Sequence, residues 1–321
     1  MWLAAAIGSY FINAGINVAD KFILSKKIHS SITYAFYVGI WSVFNVVLLF
    51  FNPYMPGLKE LVIDLSAGIL FLATLIFWYK ALHQSEATRV VPIVGALIPI
   101  FTLLLSAIFL NESIQDKQIV AFFILIFGGV LISVRKTKIY IINQAIERVK
   151  VVFGNILGKF HAGYRPTRRL LINSVLSALC FSLFYVSMKY IYMHQPFIGG
   201  FVWSRLGSFL GALLIFLVPD WRGLIMDHKD EAKSAKNMAF FLSVRLMASL
   251  GFIVLNWSIS LGNVAMINAL QGTQYLFLII LVLIMSSKFP KILNEELGRG
   301  VMVQKMIGIM LVGMGLYVLV A

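Results

Sequence analysis

The sequence predicts an all-α integral membrane protein of ten transmembrane helices in a five-plus-five inverted repeat. Three observations carry this expectation. The 321-residue chain is 60% hydrophobic and 12% charged, with a mean hydropathy of +0.90, well above the roughly half-apolar content of soluble domains. Its apolar residues gather into runs near the roughly 20 residues that a helix needs to cross the hydrocarbon layer. The runs divide into two sets of five around a basic stretch. Five is odd, so the second set must enter the membrane from the opposite face to the first.

The expected spans are 2–20, 32–51, 62–82, 88–110, 117–134, 170–192, 197–218, 238–260, 264–286 and 301–320. Runs such as Ala67–Ala81, Ile119–Val134 and Tyr275–Met285 lack the alternation that barrel strands require. Asn52-Pro53, Pro56-Gly57, Pro196 and Pro219-Asp220 fall at the boundaries as helix breakers. Met1 leads straight into the apolar Trp2–Ile16, so the first helix is expected to act as an uncleaved signal and stay. Three segments follow: a first five-helix repeat at 1–134, a linker at 135–169 and a second five-helix repeat at 170–321.

The net charge is +14, yet the cations sit in connectors at helix ends, which suits an anionic lipid surface and argues against nucleic acid. Of 27 lysines and arginines, 22 fall in connectors on one side and three, Lys59, Lys117 and Lys189, on the other. The positive-inside rule places the rich side in the cytoplasm and both termini outside. In the linker, Ile139, Ile142, Ile146, Val149, Phe153, Ile156 and Phe160 recur at helical spacing among Lys136, Gln144, Glu147, Lys150 and Lys159. This reads as a basic amphipathic helix in the headgroup layer, or else as a tether whose apolar residues pack on the bundle. Cys180 is the one cysteine, so no intrachain disulfide forms.

Arg205 and Arg245 are the two cations left over from this count; both fall inside spans, about two turns in, where ionisable groups tend to mark a pathway. Arg245, Ser249, Phe252, Asn256 and Ser260 share one helical face. Either this stripe lines a wet cavity and binds a carboxylate or phosphate, or Arg245 snorkels to the headgroups. For Arg205 the alternative is a structural role satisfied by loop carbonyls. With both arginines on the cavity, the substrate is anionic or zwitterionic.

Tyr10, Asn13, Asn17 and Asp20 share a face of the first span, lining a cavity or joining helices by hydrogen bonds. Asp20 beside Lys21 is expected to form a neutralised surface pair, with a proton relay as the alternative. Thr88, Pro92, Gly95, Pro99, Thr102 and Ser106 form a stripe on the fourth span. Proline frees a backbone carbonyl, which makes a hinge, or the small residues allow close packing. Gln271 and Gln274 share a face beside Asn268 and Tyr275, suited to recognising substrate or to bonding between helices. Glu112 is expected to be a loop or capping residue, and no other carboxylate is expected deep in a span.

Tyr79-Lys80-Ala81-Leu82, Ser85-Glu86-Ala87, Val91-Pro92-Ile93 and Ile98-Pro99-Ile100-Phe101 resemble the third-to-fourth-helix signature of the drug/metabolite transporter superfamily, in its EamA-type branch. Phe109-Leu110-Asn111-Glu112, Gln118 and Gly128-Gly129 resemble its fourth loop and fifth helix. The second half repeats the pattern more weakly, through Ser258-Ile259, Gly262-Asn263-Val264, Gly272, Asn294-Glu295-Glu296-Leu297, Gln304, Gly308 and Gly313-Met314-Gly315. Lys21 and Lys189 hold the same place in the first helix of each copy. The resemblance implies ten helices around a central cavity, an arginine where Arg205 stands, and small-solute transport, often export. The chain departs from that pattern in two ways. Ten-helix members resemble a termini-inside arrangement, and the second copy has Ala269 and Leu276 where the first has prolines.

The expected function is a secondary transporter, an exporter, that moves small polar or amphipathic metabolites by alternating access in a bacterial or archaeal cell membrane. A channel or a non-transporting scaffold is the alternative. The candidate substrate-binding residues are Asn17, Tyr79, Tyr185, Arg205, Arg245, Asn256, Gln271 and Gln274, with Pro92, Gly95 and Pro99 as a hinge. No phosphate loop is present, and the five histidines are scattered singly. Neither an ATP pump nor a metal-dependent membrane enzyme is therefore expected, and no cofactor. The expected partners are a small-molecule substrate and the lipid bilayer, with a proton the coupling ion considered.

Overall fold

A computed structural model describes residues 1–26, 30–84, 87–112, 115–133, 168–226, 235–286 and 299–320. The described residues are helical, with no strand among them. The helices are α1 (Trp2–Lys26), α2 (Ser31–Trp41), α3 (Leu58–Gln84), α4 (Ala87–Phe109), α5 (Asp116–Ser133), α6 (Arg168–His194), α7 (Phe197–Leu217), α8 (Pro219–Met226), α9 (Ala235–Leu261), α10 (Val264–Ala269), α11 (Gln271–Ser286) and α12 (Arg299–Val320). A 3-10 run, Ser42–Phe50, continues α2. Among the described residues, six helical stretches are long and apolar enough to cross a membrane, and Ile93–Phe109 and Met306–Val318 are shorter apolar helices.

Local chemistry sets the ends. The Ser30 hydroxyl accepts from the Thr33 amide and caps α2, and the Asn263 side chain accepts from the Met266 amide and caps α10. Pro219-Asp220 does more than break α7. Proline is well placed at a first helical position, and it opens the short α8. The expected span 264–286 is divided at Leu270, whose carbonyl accepts both the amide and the hydroxyl of Thr273. The amphipathic helix expected at 135–169 lies, up to residue 167, outside the described residues.

The molecule is apolar outside and polar within. Phe11, Phe44, Phe50, Ile108, Phe127, Leu217, Met310 and Tyr317 are exposed, while Thr33, Ser42, Asp64, Ser182, Ser208, Asn256 and Asn268 are buried. A soluble protein does not show so extensive an apolar surface. Together with the apolar spans, this makes the chain an integral, multi-pass membrane protein.

The packing repeats when the halves are exchanged. α1 lies along α9 and α11, while α6 lies along α3 and α4; α5 pairs with α12. Glycines permit the closest approaches. A side chain at Gly129 would run into Gly272 of α11. One at Gly68 of α3 would overlap the backbone of Ser204 and Ser208 in α7, and one at Gly207 the backbone of Leu65. α3 and α7 thus close into a dry seam, which the Ser208 hydroxyl ties to the Gly68 carbonyl at 3.0 Å.

Candidate functional site

Polar faces of the helices meet around a central cavity of about 190 Å³. α1 contributes Asn13, Asn17 and Asp20; α9 contributes Arg245, Ser249 and Phe252; α11 contributes Gln271 and Gln274. The aromatic wall comes from Trp41, Phe71, Trp78, Tyr79, Phe181 and Tyr185. Asn45 of the 3-10 run and Arg205 of α7 complete the polar lining.

Seven of the eight candidate binding residues reach this cavity. Asn256 does not. It is fully buried behind the wall, accepting from the Tyr192 hydroxyl at 3.0 Å and donating to the Phe252 carbonyl at 2.9 Å. The other stripes also divide. Tyr10 donates to the Ile267 carbonyl at 2.9 Å, and Asn268 donates to Thr102 at 3.1 Å, so both join helices rather than face the cavity. α4 runs unbroken through Pro92 and Pro99. Gly95 leaves room for the Tyr275 hydroxyl, which a side chain there would strike. Pro99 is buried, while Val94, before Gly95, and Ile98, before Pro99, face the cavity.

The two arginines differ in their partners. Arg245 is 3% exposed and forms an ion pair with Asp20 of α1. The Tyr34 hydroxyl closes this triad, accepting from Arg245 at 2.7 Å and donating to Asp20 at 2.6 Å. Asp20, expected to lie in a surface pair with Lys21, is instead engaged inside the bundle, where packing of α1 on α9 brings a buried guanidinium within reach. Arg245 does not snorkel: Asp20 and Tyr34 bind its Nη2 inside the bundle, while its buried Nε has no hydrogen-bond partner.

Arg205 is 7% exposed, and its Nη1 has no hydrogen-bond partner. No carboxylate among the described residues forms an ion pair with it. Its guanidinium lies 4.6 Å from the Phe71 ring centre and 5.1 Å from that of Phe252, a cation–π clamp that holds the charge at the cavity. The loop carbonyls considered as its partners are not what it meets. An unpaired guanidinium between aromatic faces favours a carboxylate or phosphate, which its planar fork can bind in two places.

Two acids, Glu112 and Asp64, lie outside the cavity. Glu112 sits at a junction, as expected, but braces it: it accepts from Asn263 at 2.9 Å and lies 3.8 Å from the Lys189 ammonium. Lys189 in turn donates to the carbonyls of Ile259 and Gly262 at the end of α9. Burial pushes the Glu112 carboxyl up, and Lys189 opposes that shift. Asp64 contradicts the expectation that no carboxylate lies deep in a span. α3 begins at Leu58 rather than 62, and Asp64 is fully buried. The signal was Glu60, which accepts from the Gly57 amide and the Tyr54 hydroxyl, each at 2.9 Å, and fixes the helix start.

Residues 1–134 match the model of the EamA-like transporter family. No curated protein matches the sequence. A solved structure titled only "Crystal structure of protein" is 14% identical and superposes with a TM-score of 0.61, over 98% of this chain and 96% of that one. That likeness is one of fold.

Proposed function

We propose that the chain is a secondary transporter in which two inverted five-helix units, 1–134 and 170–321, enclose the central cavity and carry small anionic or zwitterionic metabolites, in the export direction. The match of the first unit to a transporter family supports the class. The pairing of α1 with α9 and α11, mirrored by α6 with α3 and α4, supports the inverted arrangement. The observation that carries the substrate class is Arg205, a buried cation without an acid, beside a second arginine that Asp20 already neutralises. Trp41, Trp78 and Phe181 offer apolar surface to the rest of the solute, and Gln271, Gln274 and Asn17 offer hydrogen bonds.

Alternating access is supported by an asymmetry. The α3–α7 seam is shut, whereas its counterparts under exchange of the halves, α9 and α2, touch through the Arg245–Tyr34 bond and the Tyr37–Phe241 rings, 6.4 Å apart. The positive-inside rule puts the shut seam at the outer face. The test is a ligand-stabilisation screen of carboxylates, phosphates, amino acids and sugars. Anionic solutes should stabilise wild type and not Arg205→Gln. Stabilisation of both proteins alike would overturn the assignment of Arg205.

A further inference from the structure

We infer that Asp64 is a proton-binding site that couples proton uptake to closure of the α3–α7 seam. The inference rests on the transporter reading and adds a proton-linked gate at its outer face. Asp64 sits one turn outward of Gly68, facing Gln195 at the corner between α6 and α7, and the Gln195 amide donates to Asp64 Oδ1 at 3.0 Å. The other two oxygens of this pair, Asp64 Oδ2 and Gln195 Oε1, are both buried and without a hydrogen-bond partner.

Two unsatisfied acceptors in one pair are costly, and an ionised carboxylate buried without a cation costs more. A single proton resolves both. Placed on Oδ2, it turns that atom into a donor, and the acceptor left over in the same pair is Gln195 Oε1. The acid and the amide then form a closed ring of two hydrogen bonds. No covalent bond breaks; the proton comes from water at the outer face and returns to it.

The surrounding titratable groups do not replace that proton. Glu60 lies one turn earlier on α3 and is held by Tyr54 and Gly57. Tyr192 of α6 donates to Asn256, and Arg205 of α7 makes no ion pair among the described residues. The 3-10 run carries no titratable residue. Asp64 belongs to the first half and Gln195 to the second, so separating α3 from α7 parts them and admits water. The freed acid then dissociates as an ordinary carboxyl does, near pH 4. Closure binds a proton, and by linkage acid promotes closure.

The experiment uses the purified full chain in nanodiscs, without solute, so that its outcome is independent of whether any metabolite is carried. An infrared titration reads the protonated-carboxyl band, and a Ser204→Cys reporter in a Cys180→Ser background reads opening of the seam by maleimide labelling. Wild type should show the band at neutral pH, lose it in Asp64→Asn and keep it in Glu112→Gln. Labelling, divided at each pH by the rate of a fully exposed cysteine so that the thiolate fraction cancels, should be slow in acid and rise by up to tenfold per pH unit, the limit for one linked proton. Asp64→Asn should label slowly at every pH, and Asp64→Glu should retain the pH dependence. Gln195→Met, which removes the acceptor, should label faster in acid than wild type. A carboxyl band that survives Asp64→Asn, or labelling with the same pH dependence in that variant, would overturn the inference.

Discussion

Arg245 of α9 and Asp20 of α1 form a buried ion pair across 225 residues of sequence, bridged by the Tyr34 hydroxyl. The pair fastens the second half of the chain to the first and leaves the cavity with a single uncompensated charge, that of Arg205. Removing one partner strands the other, which for buried pairs costs about 3–5 kcal/mol. Asp20→Asn and Arg245→Gln should each lower thermal stability in detergent by an amount of that order, and the double variant should recover much of the loss. Additive losses in a double-mutant cycle would show that the pair carries no coupling.

Arg205 should behave in the opposite way. Because no acid faces it, Arg205→Gln removes an unsatisfied buried group and should leave stability unchanged or raise it. Solute affinity should fall about 10- to 100-fold, the worth of a charged hydrogen bond at about 1.5–3 kcal/mol. Arg205→Lys should recover part of it, since it keeps the charge without the planar fork. Isothermal binding and thermal melts on the same preparations separate the two effects. A destabilised Arg205→Gln with unchanged affinity would make this arginine structural.

The seam between α3 and α7 should tolerate no side chain at Gly68. Gly68→Ala should cost about 1–3 kcal/mol, as overpacking of a tight contact does, and Gly207→Ala likewise. Gly8→Ala and Gly313→Ala, where nothing lies within 4 Å of an added methyl, should be nearly neutral. Melting temperatures of the four variants check this, and equal shifts would mean that the seam is not closed as described.

Glu112 gives a pH signature. Burial raises its carboxyl above the ordinary range against the pull of Lys189. A carboxyl raised by folding contributes stability below its unfolded value, and that contribution is lost as pH rises through its folded value. The melting temperature of wild type minus that of Glu112→Gln should therefore decline with rising pH across the mildly acid range. A difference that grows instead would mean that Lys189 dominates.

Six of the ten expected spans, those at Trp2–Asp20, Ser31–Phe50, Leu58–Gln84, Arg168–His194, Phe197–Leu217 and Ala239–Leu261, were legible because lipid leaves the backbone no choice but helix, and hydropathy reports that constraint directly. The polar faces of α1, α9 and α11 were legible from spacing alone, since residues three and four apart share a side. Partnership was not legible. Asp20 stands next to Lys21 in sequence, and only packing reveals that Arg245 takes it. Asn256 follows the same periodicity as Arg245 and Ser249, yet Tyr192 draws it behind the wall. Asp64 read as a span end because Glu60 and Asp64 lower the local hydropathy and shift the apparent helix start by four residues, from 58 to 62. α8 was hidden because proline reads as a stop, although at a first position it starts a helix.

Counterflow in vesicles tests the central claim most directly, with the solute that stabilises the purified protein. The account expects uptake that saturates, is accelerated by the same solute on the far side, and is lost in Arg205→Gln while that variant remains folded. Flux that rises linearly with concentration, or no flux in a well-folded wild type, would contradict a carrier with one enclosed site.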